Sequence, residues 1–347
     1  MNYSRWSTIR RGFSNFRLRE QLELARDQYE NLETRLRGVN KLPIIHSEGY
    51  VCGLPINHRF QMTKFRELFN VLVKDGVINP KVQVISPTHV SQELACLAHS
   101  EEYVNKFFHG ETSSEEQRRT GFIWTHGLCS RVRYETGGTL MSAMVSLTRG
   151  LSCSTGGGTH HAGPDYGSGF CLLNDLAVTA ETLLRLGLVQ KVLIVDLDVH
   201  QGDGTALIFS KNPEVFTFSM HCQSNFPFRK NASDLDIGLE DHVGDSEYLA
   251  VLDETLPHLL DTLRPDLVLY DAGVDPHVKD DLGKLDLTDE GLWRRDELVV
   301  RNCIRRGIPV STVIGGGYDR NIEILAARHS IVHRVCTKVW RESNLVF

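Results

Sequence analysis

No two of the eight cysteines form a CxxC pair; they stand singly at 52, 96, 129, 153, 171, 222, 303 and 336. That spacing argues against a zinc ribbon or a thioredoxin-type redox site. Cys153 and Cys171, in apolar or glycine-rich surroundings, are expected to be reduced core thiols. No apolar run approaches the about 20 residues that a membrane-crossing helix needs. Basic charge is also short, with 38 Lys and Arg against 44 Asp and Glu and a net charge of −6. A protein held on nucleic acid by phosphate contacts would carry the opposite balance, so direct nucleic-acid binding is not expected. Glycine triplets occur at 156–158 and 315–317, but neither has Walker or Rossmann spacing. Internal repeats and low-complexity tracts are missing. What remains is an ordinary globular composition, 41% hydrophobic and 24% charged over 347 residues, enough for one large α/β domain or two small ones.

The most informative stretch is KVLIVDLDVHQGDGT, residues 191–205. An apolar run of Val, Ile and Leu reads as a strand buried on both faces. It ends in Asp196, Asp198, His200 and Asp203, groups that are costly to bury unless they bind something. Alternation along a strand places Asp196, Asp198 and His200 on one side. Two carboxylates and an imidazole at that spacing can share a metal ion such as zinc. Three further segments have the same form, a strand running into glycine and polar residues. They carry His160 and His161 (TGGGTHHAGPDYGSGF, 155–170), Asp271 and Asp275 (LVLYDAGVDPHVKDDL, 267–282) and Tyr318 (VSTVIGGGYDR, 310–320). Open α/β sheets bind ligands at such carboxyl ends of strands.

Strands are expected at 42–46, 82–86, 151–154, 192–197, 215–220, 266–270 and 309–314. Helices are expected at 61–74, 91–97, 102–108, 137–149, 174–186, 245–263, 288–305 and 320–337, with Asn174 and Asp175 as an N-cap. The alternation predicts a mainly parallel sheet with helices on both faces. Residues 222–244 read as a long polar loop. The first 19 residues hold five arginines, three serines and no acid, the composition of a mitochondrial transit peptide or of a basic tail. Residues 20–40 read as a charged helical extension and 41–342 as the main domain. A transit peptide implies mitochondria; a tail leaves the nucleus or cytoplasm.

The motifs GGTHHAGPDYGSGFCLLND, VDLDVHQGDGT, AGVDPHVKDDLGKL and GGGYD resemble the zinc-dependent histone deacetylase family, within the arginase/deacetylase fold. HRF at 58–60, LAHSEEYV at 97–104 and TGGTLMSA at 136–143 are similar to family segments too. Gln201 in HQGDG resembles class IV and bacterial-type members, although vertebrate class IV proteins carry Asn where this chain has Asp203. The resemblance implies one zinc ion on Asp198, His200 and Asp275. It implies tandem catalytic histidines His160 and His161, oriented by Asp196 and Asp203, and a carbonyl-polarising Tyr318. Gly169, Phe170 and Phe226 would line an acyl-lysine tunnel, and Glu101 would grip the substrate backbone. A structural potassium ion would sit on the main chain around Asp196, His200 and Met220, with Ser219.

These groups suit amide hydrolysis of an acyl-lysine peptide or protein, with acyl groups from acetyl to longer chains. His161 would act as base, His160 would stay more protonated, and Tyr318 would donate to the oxyanion. His221 and His277 read as rim residues. Three alternatives stand beside this reading. An arginase-type hydrolase needs two manganese ions and more carboxylates, but Gly202 and Gly273 occupy the relevant positions. Polyamine deacetylases carry an acid seven residues after the third zinc ligand, where this chain has Leu282. A catalytically silent binding module would not need the full set of site residues. Oligomeric state is left open.

Overall fold

The computed structural model describes residues 15–345. Eight strands form one sheet: β1 (Ile44–Ile45), β2 (Val84–Ile85), β3 (Leu151–Ser154), β4 (Val192–Asp196), β5 (Val215–Cys222), β6 (Leu235–Leu239), β7 (Leu267–Asp271) and β8 (Val310–Val313). Their order is β2-β1-β3-β8-β7-β4-β5-β6, and every pair is parallel. The chain leaves β3 and enters β4 three places away, and β8 and β7 later fill the gap. The carboxyl ends of β3, β8, β7 and β4 therefore adjoin, although their sequences lie far apart. Strands β3, β4, β7 and β8 are buried along their whole lengths, as unbroken apolar runs require when helices cover both faces. Helices His126–Arg149 and Asp175–Leu186 pack together in one layer. Asp245–Leu263, Asp289–Arg305, Ile322–Glu342 and Lys64–Lys74 pack in that order as the other.

All seven expected strands are found, and β6 is an eighth. It lies inside the segment read as a polar loop, where Leu235, Ile237 and Leu239 alternate with Asp236 and Gly238. As an edge strand it pairs only with β5 and is half-buried, so its apolar signal is weak. Helix His126–Arg149 begins 11 residues before the expected start at 137. Gly137 and Gly138 suggest a break, but they serve close packing instead. A Cβ on Gly137 would lie 1.9 Å from the Thr88 carbonyl oxygen, and one on Gly138 would lie 1.9 Å from the Tyr50 hydroxyl. Three short α-helices were not expected: Pro80–Gln83, which takes the first two residues of the strand expected at 82–86, Ser114–Thr120, started by a Ser113/Glu116 capping box, and Asp203–Phe209, directly after the β4 loop. Of the expected cap pair, Asn174 alone caps, accepting from Ala177 N–H, while Asp175 braces the loop before His160.

Residues 1–14 of the basic segment lie outside the described residues. Helix Asn15–Glu30 crosses position 19 and is held to the domain by Arg26, which donates to the Leu186 carbonyl at 2.6 Å.

Substituting Gly137→Ala should destabilise the protein by about 1–3 kcal/mol through overpacking. In an open helix the same change would gain up to about 1 kcal/mol, so the sign is diagnostic. Urea unfolding of the two proteins decides it, and a more stable variant would show that the Thr88 approach is not close.

Candidate active site

Past Asp196 the chain turns, and each acidic side chain supports the next. Asp198 N–H donates to Asp196 Oδ1 at 3.1 Å, and His200 N–H donates to Asp198 Oδ1 at 3.0 Å. Asp275, four residues beyond β7, accepts from Val199 N–H at 2.9 Å. His200 Nδ1 then lies 3.1 Å from Asp198 Oδ1 and 3.1 Å from Asp275 Oδ2. One ligand atom from each of the three side chains falls within 4.8 Å of the others, and all three residues are buried. The glycine loop after β8 closes over them, with Gly316 N–H donating to Asp198 Oδ2 at 2.7 Å. A Cβ on Gly316 would reach Asp275 Oδ2 at 2.2 Å, and one on Gly273 would reach Asp198 Oδ2 at 2.3 Å. This backbone approach requires glycine.

The two histidines arrive on the β3 loop. Gly157 and Gly158 adopt φ of 90° and 93°, conformations that glycine takes without strain. Asp175 holds the turn, accepting from Gly158 N–H at 3.0 Å and Thr159 N–H at 2.7 Å. His160 Nδ1 is 2.7 Å from Asp196 Oδ2, and His161 Nδ1 is 2.7 Å from Asp203 Oδ1. Their environments push the two rings apart. Burial disfavours charge on His160, but Asp196 and Asp198 outweigh it and hold the imidazolium well above the usual range. Burial and the neighbouring charge of His160 lower His161 to about 4, against the opposing pull of Asp203. The site thus pairs one charged and one neutral imidazole at neutral pH.

Tyr318 is fixed by its backbone. Its N–H donates to Asp280 Oδ2 at 2.7 Å, and its carbonyl accepts from Asp281 N–H at 3.0 Å. Asp280 Oδ1 meanwhile accepts from the N–H groups of Leu282 and Gly283 at 2.8 and 2.9 Å. Burial, then Asp275 and Asp198, raise the phenol far above its normal range, so it remains an O–H donor.

A cavity open to solvent, with about 420 Å³ of empty space counting its open side, joins His160, His161, Asp198, His200 and Tyr318 to Gly169 and Phe170. Phe170 lies 5.9 Å from Tyr318 between ring centres, and Phe226 stands edge-on to His161 at 4.9 Å. Phe226 is not itself in the cavity lining. Glu101 and Leu282 also lie outside it. Glu101 opens helix Glu101–His109, and Leu282 offers its carbonyl to Asn225 Nδ2 at 2.8 Å. Ser219 pairs in register with Asp196 and its hydroxyl is 3.0 Å from His221 Nδ1. His277 pairs outward with Asp289 at 3.3 Å. Neither His221 nor His277 joins the cavity.

Sequence reasoning missed four groups here. Lys64, Arg131 and Glu135 line the same cavity from helices whose residues carry no local motif. Asp280 stands inside the AGVDPHVKDDLGKL motif, which by itself does not single it out as a partner of Tyr318.

The donor set fits a divalent cation. Two buried carboxylates converge on an imidazole, with no Lys or Arg ion-paired to them among the described residues. Buried carboxylates need such a counter-charge. A second group, His160, Asp196 and Asp271, is equally close, but His160 and Asp196 already satisfy each other.

Cation binding should release protons. Although burial opposes it, the hydrogen bonds and charges of Asp198 and Asp275 raise His200 to about 10, so the metal-free ring holds a proton that a metal must displace. Burial and Asp198 raise Asp275 to about 6, so a second proton competes below that pH. Metal affinity should therefore fall as pH falls, more steeply below about 6. Titration calorimetry in buffers of different ionisation heat measures this; uptake with no proton release would place the metal elsewhere.

The family model of the histone deacetylase domain matches residues 58–334. A Picosynechococcus protein of uncharacterised function is 50% identical over 298 residues, 86% of this chain and 99% of the relative. Histone deacetylase 2 of Arabidopsis thaliana is 30% identical over 296 residues, covering 82% of this chain and 76% of the relative. Acetoin utilization protein AcuC of Staphylococcus aureus is 28% identical over 258 residues, covering 68% and 66%. Among solved structures, the HDA15 HD domain superposes with a TM-score of 0.74 at 22% identity, covering 89% of this chain and 93% of that one. The domain match over most of the chain, together with these relatives, places the protein in the histone deacetylase family, as a deacetylase-type hydrolase.

Proposed function

We propose that this protein is a zinc-dependent lysine deacylase that hydrolyses the side-chain amide of acyl-lysine in a peptide or protein. The observation that carries this reading is the convergence of three different kinds of group on one cavity: the Asp198–His200–Asp275 trio, the split histidine pair and the Tyr318 hydroxyl. Bound at the trio, zinc would supply Lewis acidity, acidifying a water and polarising the amide carbonyl. The remaining work falls to the chain. His161, with Nδ1 turned to Asp203, keeps Nε2 as the proton acceptor for the attacking water and returns that proton to the leaving amine. His160 contributes positive charge beside the developing oxyanion. Tyr318 donates its O–H to that oxyanion, as an oxyanion-hole donor does. Phe170 and Phe226 flank the apolar lysine stem.

A single metal is favoured over an arginase-like pair because Gly202 and Gly273 supply no carboxylate. Leu282 brings no charge to the turn where a polyamine substrate would need an anion. A structural potassium ion on the main chain around Asp196, His200 and Met220, with Ser219, belongs to the same reading, as does affinity with class IV and bacterial-type members. AcuC is named for acetoin utilization, and a small-molecule amide is the substrate alternative that this likeness adds.

The direct test is zinc-loaded full-length protein against acyl-lysine peptides and acetylpolyamines. Turnover of acyl-lysine with one zinc per chain is expected; turnover of polyamines alone, or two metals per active chain, would overturn the reading. Tyr318→Phe should keep its metal and lose about 10²–10³ in kcat with little change in KM. Asp280→Ala should lower kcat in the same sense, because it frees the Tyr318 backbone while leaving the three ligands untouched. An unchanged kcat in either variant would make the tyrosine structural. For the compartment, the basic residues 1–19 are proposed as a mitochondrial address. Full-length fusions should localise to mitochondria and truncated ones should not; a diffuse full-length protein would leave a basic tail.

A further inference from the structure

The cavity that holds the catalytic groups has a second, charged end formed by Lys64, Arg131 and Glu135. Lys64 is the first residue of helix Lys64–Lys74 and is only 2% exposed. Its ammonium donates to the Gly315 carbonyl at 3.2 Å. The ring centres of Phe60, Phe65 and Tyr318 lie 5.2, 5.5 and 5.9 Å away. Among the described residues, no carboxylate forms an ion pair with it. Arg131 differs, since Glu135 Oε1 matches it at 2.5 Å. Asp275, Glu135 and Asp198 attract the Lys64 charge from a distance, but none of them pairs with it directly.

A buried ammonium is costly unless it is paired or coordinated. One carbonyl and three ring faces offset only part of that cost. Structural tethering of the glycine loop would need a hydrogen bond, which a neutral side chain supplies more cheaply. The remaining donors line a cavity that opens onto the reacting groups, which is the arrangement of an anion subsite.

We infer that Lys64 selects acyl groups ending in a carboxylate, such as succinyl or glutaryl on lysine. This rests on the deacylase reading. With the lysine stem between Phe170 and Phe226 and its amide at the Asp198–His200–Asp275 trio, the acyl chain continues inward toward Lys64. The chemistry is unchanged: water cleaves the C–N bond, the lysine nitrogen takes the proton, and the acyl group leaves as a dicarboxylate. An aliphatic chain of equal length would press methyl groups on the ammonium and leave it unpaired. Sites built to bind a polar group reject analogues that lack it far more strongly than apolar pockets reject a missing methylene.

The experiment compares length-matched peptides, succinyl- with butyryl-lysine and glutaryl- with pentanoyl-lysine, on zinc-loaded full-length enzyme. In the wild type, kcat/KM should favour the carboxylated member by at least about tenfold. Lys64→Met should reverse that order, and Lys64→Arg should retain it, with zinc content and thermal unfolding recorded for each. Should Lys64→Met fail to fold, the wild-type ratio and a Lys64→Gln variant still decide. Cleavage of neutral acyl groups in preference to carboxylated ones would sink this inference and leave the deacylase reading standing. No cleavage of any acyl-lysine by zinc-loaded enzyme would sink both.

Discussion

Four carboxylates, those of Asp196, Asp198, Asp271 and Asp275, are buried together at the ends of two neighbouring strands. Like charges that close in a low dielectric cannot all ionise without compensation. The surroundings respond accordingly. Asp196 takes His160, while Asp198 and Asp275 share His200 and backbone N–H groups. Asp271 has no hydrogen-bond partner for either oxygen, and burial with the charge of Asp196 drives its pKa far up. A cation at the trio would relieve this crowding, and the same carboxylates favour charge on His160 while burial and His160 disfavour it on His161.

The crowding also dictates the backbone. Gly273, Gly315 and Gly316 pass so near Asp198, Asp271 and Asp275 that a Cβ would clash with a carboxylate oxygen. Such freedom has to be restrained if the loops are to hold catalytic groups. Asp175 restrains the loop before His160, and Asp280 restrains Tyr318. Each uses both carboxylate oxygens as acceptors for backbone N–H groups from a glycine-rich turn. The turn at Asp280–Lys284 also reaches Asn225, the neighbour of Phe226, through Leu282 C=O and Lys284 N–H. One turn thereby ties the Tyr318 backbone to the segment that carries Phe226.

The cavity has two chemistries in sequence along its length. Phe170 and His161 line one part of it, and the Lys64 ammonium, without an ion-pair partner among the described residues, lines another. The fold tolerates that extra charge because Lys64 and Arg131 enter from helices outside the strand ends and leave the trio undisturbed.

The strand-end motifs were legible because their information is local. An apolar run, a glycine and a set of polar groups define a buried strand that ends in chemistry, and His160, His161, Asp198, His200, Asp275 and Tyr318 were all found that way. The edge strand β6 and the early start of helix His126–Arg149 were not, since half-burial weakens alternation and a packing glycine looks like a helix breaker. Lys64, Arg131 and Glu135 carry no local signal, and Asp280 shows only as one acid within a longer motif. The sequence by itself determined the parallel α/β sheet and that a set of polar residues sits at its strand ends. Only the tertiary structure decided that β3, β8, β7 and β4 are neighbours, that the two histidines differ in charge, and that a lysine from another helix closes the cavity. Strand order, burial and the field at a side chain are set by groups far apart in the chain, and no local pattern encodes them.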